Sequence, residues 1–219
     1  ALMTMYLAEK ENSQTINNEN KYIAICPPVE LVYAMTQVDK ISENWKNSPD
    51  TIKDDIAMTA EKIIEISNLD ELKKMNINKL PFSENEAMLI TGFILHQKLS
   101  DLIYTKNNKS INNTDLYKII SQTNYRNYAE DKLITNECKT IEDLGKNSNL
   151  NKLSTYLINA NNYKIYHSVD DYLTNKKQLK QLKLYTGTKS VYFSNGAHLG
   201  FIYRDEFLND LKKEITILN

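Results

Sequence analysis

The 219 residues carry 27 basic and 28 acidic side chains for a net charge of −1, so no global field favours a nucleic-acid backbone or an anionic membrane surface. The length suffices for one large domain, or a domain with a cap, around a buried core. No apolar run approaches the roughly 20 residues of a membrane span, and two cysteines, Cys26 and Cys138, indicate no disulfide framework.

Ala1 to Lys10 reads as helix interior with no Ser, Thr, Asp or Asn ahead to cap it, as either a processed terminus or a fold with an upstream part would leave it. A polar, Asn-rich link from Asn12 to Lys21 leads into Tyr22–Cys26. That run is short, apolar and stopped by Pro27-Pro28, the pattern of a buried parallel strand.

Between Val29 and about Asn161 glycine almost disappears and apolar residues recur at spacings of three and four, so this block is expected to be helical. Leu31, Met35, Val38 and Ile41 mark one stripe; Ile52, Ile56, Ala60, Ile63 and Ile64 mark another after Ser48-Pro49-Asp50. Further helices are expected over Asp70–Met75, Ser83–Thr105, Asn113–Ser121 and Tyr125–Glu137, the second opening on a capping box at Ser83 and Glu86. Lys106–Asn113 and Lys146–Asn151 read as polar loops. The apolar and aromatic residues of the block, Phe82, Met88 and Phe93 among them, read as core more than as pocket.

After Asn161 come Gly187, Gly196 and Gly200, three of the 5 glycines. Tyr163–His167 and Lys189–Phe193 read as strands, Asn175–Tyr185 as an amphipathic crossover helix and Asp205–Leu218 as a final one. The expected fold is α/β: an open, mostly parallel sheet in 1–28 and 162–219, with a large helical insertion in 29–161.

Reactive side chains of a parallel sheet collect beyond the carboxyl ends of its strands. Asp170 and Asp171 follow the second strand, and His198 follows the third between Gly196 and Gly200. A carboxylate that accepts from one imidazole nitrogen fixes the tautomer and leaves the other nitrogen to take a proton from a nucleophile. The two aspartates compete for that place, the other being a loop carboxylate for backbone amides. His96 and His167 read as structural and lack metal-ligand spacing, so neither metal nor cofactor is expected.

His167-Ser168-Val169-Asp170-Asp171 resembles the acid loop of the α/β-hydrolase family, and Ser194-Asn195-Gly196-Ala197-His198-Leu199-Gly200 resembles its histidine loop. Ile25-Cys26-Pro27-Pro28-Val29-Glu30-Leu31 is similar to the strand that follows the nucleophile helix in bacterial members and leads into a helical cap. The resemblance covers about the first thirty residues and the last sixty. It implies Asp171 as triad acid, His198 as base, and an ester, thioester or amide as acyl substrate.

The family's Gly-x-Ser-x-Gly elbow has no counterpart here. Cys26 ends a strand, but Pro27 after it has no amide hydrogen to offer an oxyanion, so Cys26 reads as a buried thiol. The resemblance therefore implies a C-terminal part of a hydrolase, its nucleophile lying before Ala1, inactive alone and prone to associate with itself or with an N-terminal portion. The alternative is a non-catalytic helical binding or scaffold protein with an α/β platform.

Overall fold

The computed structural model describes residues 1–14, 20–46, 57–64, 82–107 and 112–216. Helix α1 (Leu2–Ser13) precedes strand β1 (Tyr22–Ile25) and helix α2 (Leu31–Lys46). After a helical stretch over 57–64 come α3 (Glu84–Asn107), α4 (Asn113–Gln122), α5 (Tyr125–Lys132) and α6 (Ile141–Asn147). A 3-10 turn (Leu150–Leu153), α7 (Ser154–Asn159), β2 (Tyr163–Ser168), α8 (Lys176–Thr186), β3 (Ser190–Phe193) and α9 (Asp205–Thr216) complete the order. The fold is mixed α/β and mostly helical.

The strands form one parallel sheet in the order β1-β2-β3. Ala24 lies opposite Ile165 and Tyr166 opposite Val191. Both faces are covered, which is why the strands read as apolar runs and not as alternating ones. Tyr22, Ala24, Tyr163 and Ile165 face one side, where α1, α7, α8 and the 3-10 turn supply Met5, Leu150, Leu157 and Leu182. Cys26, Tyr166 and Phe193 face the other, under Phe201 and Phe207 of the last segment. There the Phe193 and Phe201 rings stack at 4.3 Å, and Tyr166 donates to Asp210 of α9 at 2.8 Å.

The end of the expected insertion belongs physically to the sheet. Leu150, Leu153, Tyr156, Leu157 and Ala160 lie in the same buried cluster as α1 and β1. Lys189, just before β3, donates to the carbonyls of Leu157, Ile158 and Ala160 and so closes the carboxyl end of α7.

The other helices pack in small groups: Ala34 and Val38 of α2 with Leu173, Met35 with Ala129 and Ile141, and Leu99 and Ile103 of α3 with Leu116 of α4. Three polar or close-packing devices join them. Buried Asp39 of α2 accepts from the amides of Tyr125 and Arg126 at 2.8 and 2.9 Å, capping α5 from outside. Tyr125 donates to the Leu95 carbonyl. At Gly92 a Cβ would come within 2.3 Å of Ile41, so α2 and α3 approach where there is no side chain to separate them.

Several expected boundaries differ. The capping box at Ser83 forms: the Glu86 amide donates to Ser83 Oγ at 3.3 Å, and the Ser83 amide donates to Glu86 at 2.6 Å. The helix from Tyr125 ends at Lys132, not Glu137, because Thr135 and Cys138 exchange backbone hydrogen bonds in a turn. Lys146–Asn151 contains the end of α6 and the start of the 3-10 turn and is no open loop. In 57–64 it is Thr59 that is buried, while Ile63 and Ile64 are 44% and 69% exposed. The expected helix at Asp70–Met75, together with Ile52 and Ile56, lies outside the described residues. Among the described residues no helix is long and apolar enough to cross a membrane.

Candidate active site

The carboxyl edge of the sheet brings three segments together: Cys26 after β1, Asp170 and Asp171 after β2, and the loop 194–200 after β3. His198 Nδ1 lies 3.0 Å from Asp171 Oδ2. The carboxylate is 1% accessible and the imidazole 16%. Asp171 Oδ1 also accepts from the Leu173 amide at 2.9 Å. With Nδ1–H donating to the acid, Nε2 is left as the basic nitrogen.

Burial alone would raise the Asp171 carboxyl. The hydrogen bond and charge of His198, joined by His167 and the Leu173 amide, outweigh it and hold the acid below its ordinary value. Asp171 is therefore an anion that orients an imidazole.

The neighbouring acid does different work. Asp170 accepts from the Ala197 amide at 2.9 Å and the Gly196 amide at 3.2 Å, and from the Ser168 hydroxyl. It grips the backbone immediately before His198. The competition between the two aspartates thus resolves into two positions: one on the imidazole, the other on the loop that carries it.

Gly196 has φ +135°, and a Cβ there would lie 3.1 Å from the Phe201 amide nitrogen, so only glycine fits this turn. Among the described residues the non-glycine positions with positive φ are Cys26 (43°), Ala197 (46°) and Leu199 (68°). All three border the Asp171–His198 pair. Such backbone costs of order 1–3 kcal/mol per residue and collects where a fold must hold functional groups.

His167 is fully buried beneath the pair, its Nδ1 3.9 Å from Asp171 Oδ2. Its Nε2 donates to the Pro27 carbonyl at 3.2 Å, and the Ser168 amide donates to Nδ1 at 2.9 Å. Burial lowers its pKa against the pull of Asp171, so the ring stays neutral and braces β1 against β2. His96 lies on α3.

Cys26 lies closer to the pair than a strand-end cysteine in sequence discloses. One ligand-type atom each of Cys26, Asp171 and His198 lies within 4.8 Å of the others, a set of donors able to hold a thiophilic metal ion. As a nucleophile it is poorly placed. Burial first, and then the negative charge of Asp171, push its thiol up to about 12, so at neutral pH it is protonated.

Beside His198 opens a cavity of about 400 Å³ between its loop and the first half of α3. Phe82 lines it, whereas Met35 is buried between α2, α5 and α6. The side chain of Phe93 lies outside the described residues. Tyr172 donates to the Ala87 carbonyl at 3.2 Å, tying the turn after Asp171 to the cavity wall.

Comparisons with protein-family models, with curated proteins and with solved structures found no match.

Proposed function

We propose that this chain carries the acid and the base, but not the nucleophile, of a Ser-His-Asp hydrolase of the bacterial α/β-hydrolase kind, acting on an ester, thioester or amide. The reading is supported chiefly by the 3.0 Å contact between His198 Nδ1 and Asp171 Oδ2 at the carboxyl edge of a parallel sheet. The chain order, acid after one strand and histidine after the next, is that of the family.

In this reading His198 Nε2 takes the proton of a serine hydroxyl as its oxygen attacks the acyl carbon. It then gives that proton to the leaving oxygen, sulfur or nitrogen as the tetrahedral intermediate collapses. Water repeats the sequence to release the acid. Asp171 keeps its charge throughout and stabilises the imidazolium. The sequence holds no Gly-x-Ser-x-Gly, so the serine comes from outside these residues, and the helices between Leu31 and Asn147 form a cap over the site.

The test is a fluorophosphonate probe and an ester assay on two proteins, the 219-residue chain and the product of its whole reading frame. The short chain is expected to be silent, and the whole product to label on a serine and lose turnover with His198→Ala. Robust hydrolysis by the short chain that disappears with His198→Ala would overturn the split. A whole product without a reactive serine or ester turnover would leave the helical binding protein as the reading.

A further inference from the structure

We infer that the cavity beside His198 binds the aliphatic chain of a neutral ester, an assignment that rests on the hydrolase reading only for the role of the ester carbonyl. At about 400 Å³ the cavity is of ligand size. Ile90, Ile94 and Leu95 of α3 form one wall, and Leu199 and Ile202 the other. No Asp, Glu, Lys or Arg lines it among the described residues; its titratable groups are the His198 imidazole and the Tyr203 phenol, whose pKa burial raises, so that it stays neutral. A charged ligand would lose its hydration there without a countercharge, whereas an alkyl chain exchanges water for apolar contact.

Two observations separate this cleft from an incidental gap. The first concerns α3 itself. Toward its carboxyl end Leu99 and Ile103 are 3% and 4% exposed under α4, while Ile94, one turn before, is 50% exposed. Across the cavity Leu199 and Ile202 are 38% and 41% exposed. Apolar surface is thus left open to water on both walls beside the acid–imidazole pair, as binding grooves leave it.

The second is Leu199, held at φ +68°. Glycine adopts that backbone without strain, yet a branched side chain stands there and lines the cavity. The fold bears the strain and presents the leucine to whatever enters.

The wall opposite is fixed. The Tyr172–Ala87 hydrogen bond holds α3 from the acid turn, and Gly92 seats the helix against Ile41 of α2. A cavity with fixed walls binds without first being ordered.

The experiment is calorimetric titration of the 219-residue chain at neutral pH with methyl butanoate, methyl octanoate and monomethyl suberate, the last carrying a terminal carboxylate. Affinity is expected to rise roughly fourfold per buried methylene from the butanoate until the cavity is full, and to fall at least about 30-fold from octanoate to suberate. Ile94→Asp and Leu199→Gly should each weaken octanoate by about tenfold or more, Leu199→Gly with no loss of thermal stability.

Equal affinity for the three esters, no binding, or no effect of Ile94→Asp would overturn the inference. Chain-length-dependent binding without turnover by the whole-frame product leaves the pocket standing and removes the hydrolase reading. Turnover indifferent to chain length and terminal charge does the reverse.

Discussion

The carboxyl edge of the sheet and the helical block beside it are built on different principles. Around the sheet one continuous buried cluster runs from Leu2 to Leu182, with a second of aromatic rings beneath α9. Between Leu31 and Ile141 the apolar contacts break into separate small groups, and single features hold them together: the Asp39 carboxylate, the Tyr125–Leu95 bond, the bare face of Gly92. A dense core can carry backbone strain at its edge without yielding, and the strained residues Cys26, Ala197 and Leu199 all lie there. The helical block supplies a wall of the cavity, so its adjustment changes the shape of the cavity more than the geometry of the Asp171–His198 pair.

That division predicts effects of different kind and size. The largest is at Asp171. If the proposed hydrolysis holds, Asp171→Asn in the whole-frame product should lower ester kcat/KM by about 10⁴-fold, because the amide favours the wrong imidazole tautomer, and it should alter the pH–rate profile. Asp170→Asn should cost about 100-fold through a displaced loop and leave the profile's shape unchanged, since Asp170 touches amides and not the imidazole. Equal effects of the two substitutions on rate and profile would erase the distinction between them.

Within the helical block, Asp39→Ala removes two charge-assisted bonds from a buried carboxylate to the part-buried amides that open α5 and should destabilise by about 2–3 kcal/mol. Urea unfolding measures the loss, and hydrogen exchange should place it at α5. Gly92→Ala, pressing on Ile41, should cost about 1–3 kcal/mol and change ester chain-length preference more than maximal rate. If either abolished the His198–Asp171 contact, read from the imidazole resonances, the two regions would not be separable.

The smallest effect is a pH dependence. His167 has an ordinary value of 6.5, lowered by burial in the folded chain. The unfolded chain therefore binds a proton that the folded one refuses, and stability is full above 6.5 and declines as pH falls from there toward the folded value. Asp171, also lowered, adds a second decline in a more acidic window, beginning at its ordinary 3.8 and ending below its folded value. Thermal melts from pH 8 downward should show the first decline; His167→Gln should flatten it and, because His167 also helps hold Asp171 low, shrink the second without abolishing it.

The strands were legible because burial on both faces writes an uninterrupted apolar run, and the loop of His198 because Gly196 and Gly200 mark a turn that few other residues fit. Which aspartate meets the imidazole was not. Asp170 and Asp171 differ in direction, not in type, and direction is set by the turn at Ser168–Asp171. Asp39 was invisible as well, since its partners lie 86 and 87 residues away. The place of Cys26 beside the pair depends on β1 lying next to β2, which local sequence does not encode. Ile63 and Ile64 kept helical spacing yet face solvent, because periodicity names a face without saying what covers it.

The left-handed backbone at Ala197 and Leu199 also has an evolutionary reading. Replacement by glycine would relieve strain there, so a screen for thermostability alone should recover glycine at these positions with ease. Under the reading given above, the same variants would orient the imidazole and fill the cavity wall less well. Wherever glycine is rejected at these two positions, the pressure retaining the side chain is activity acting against stability.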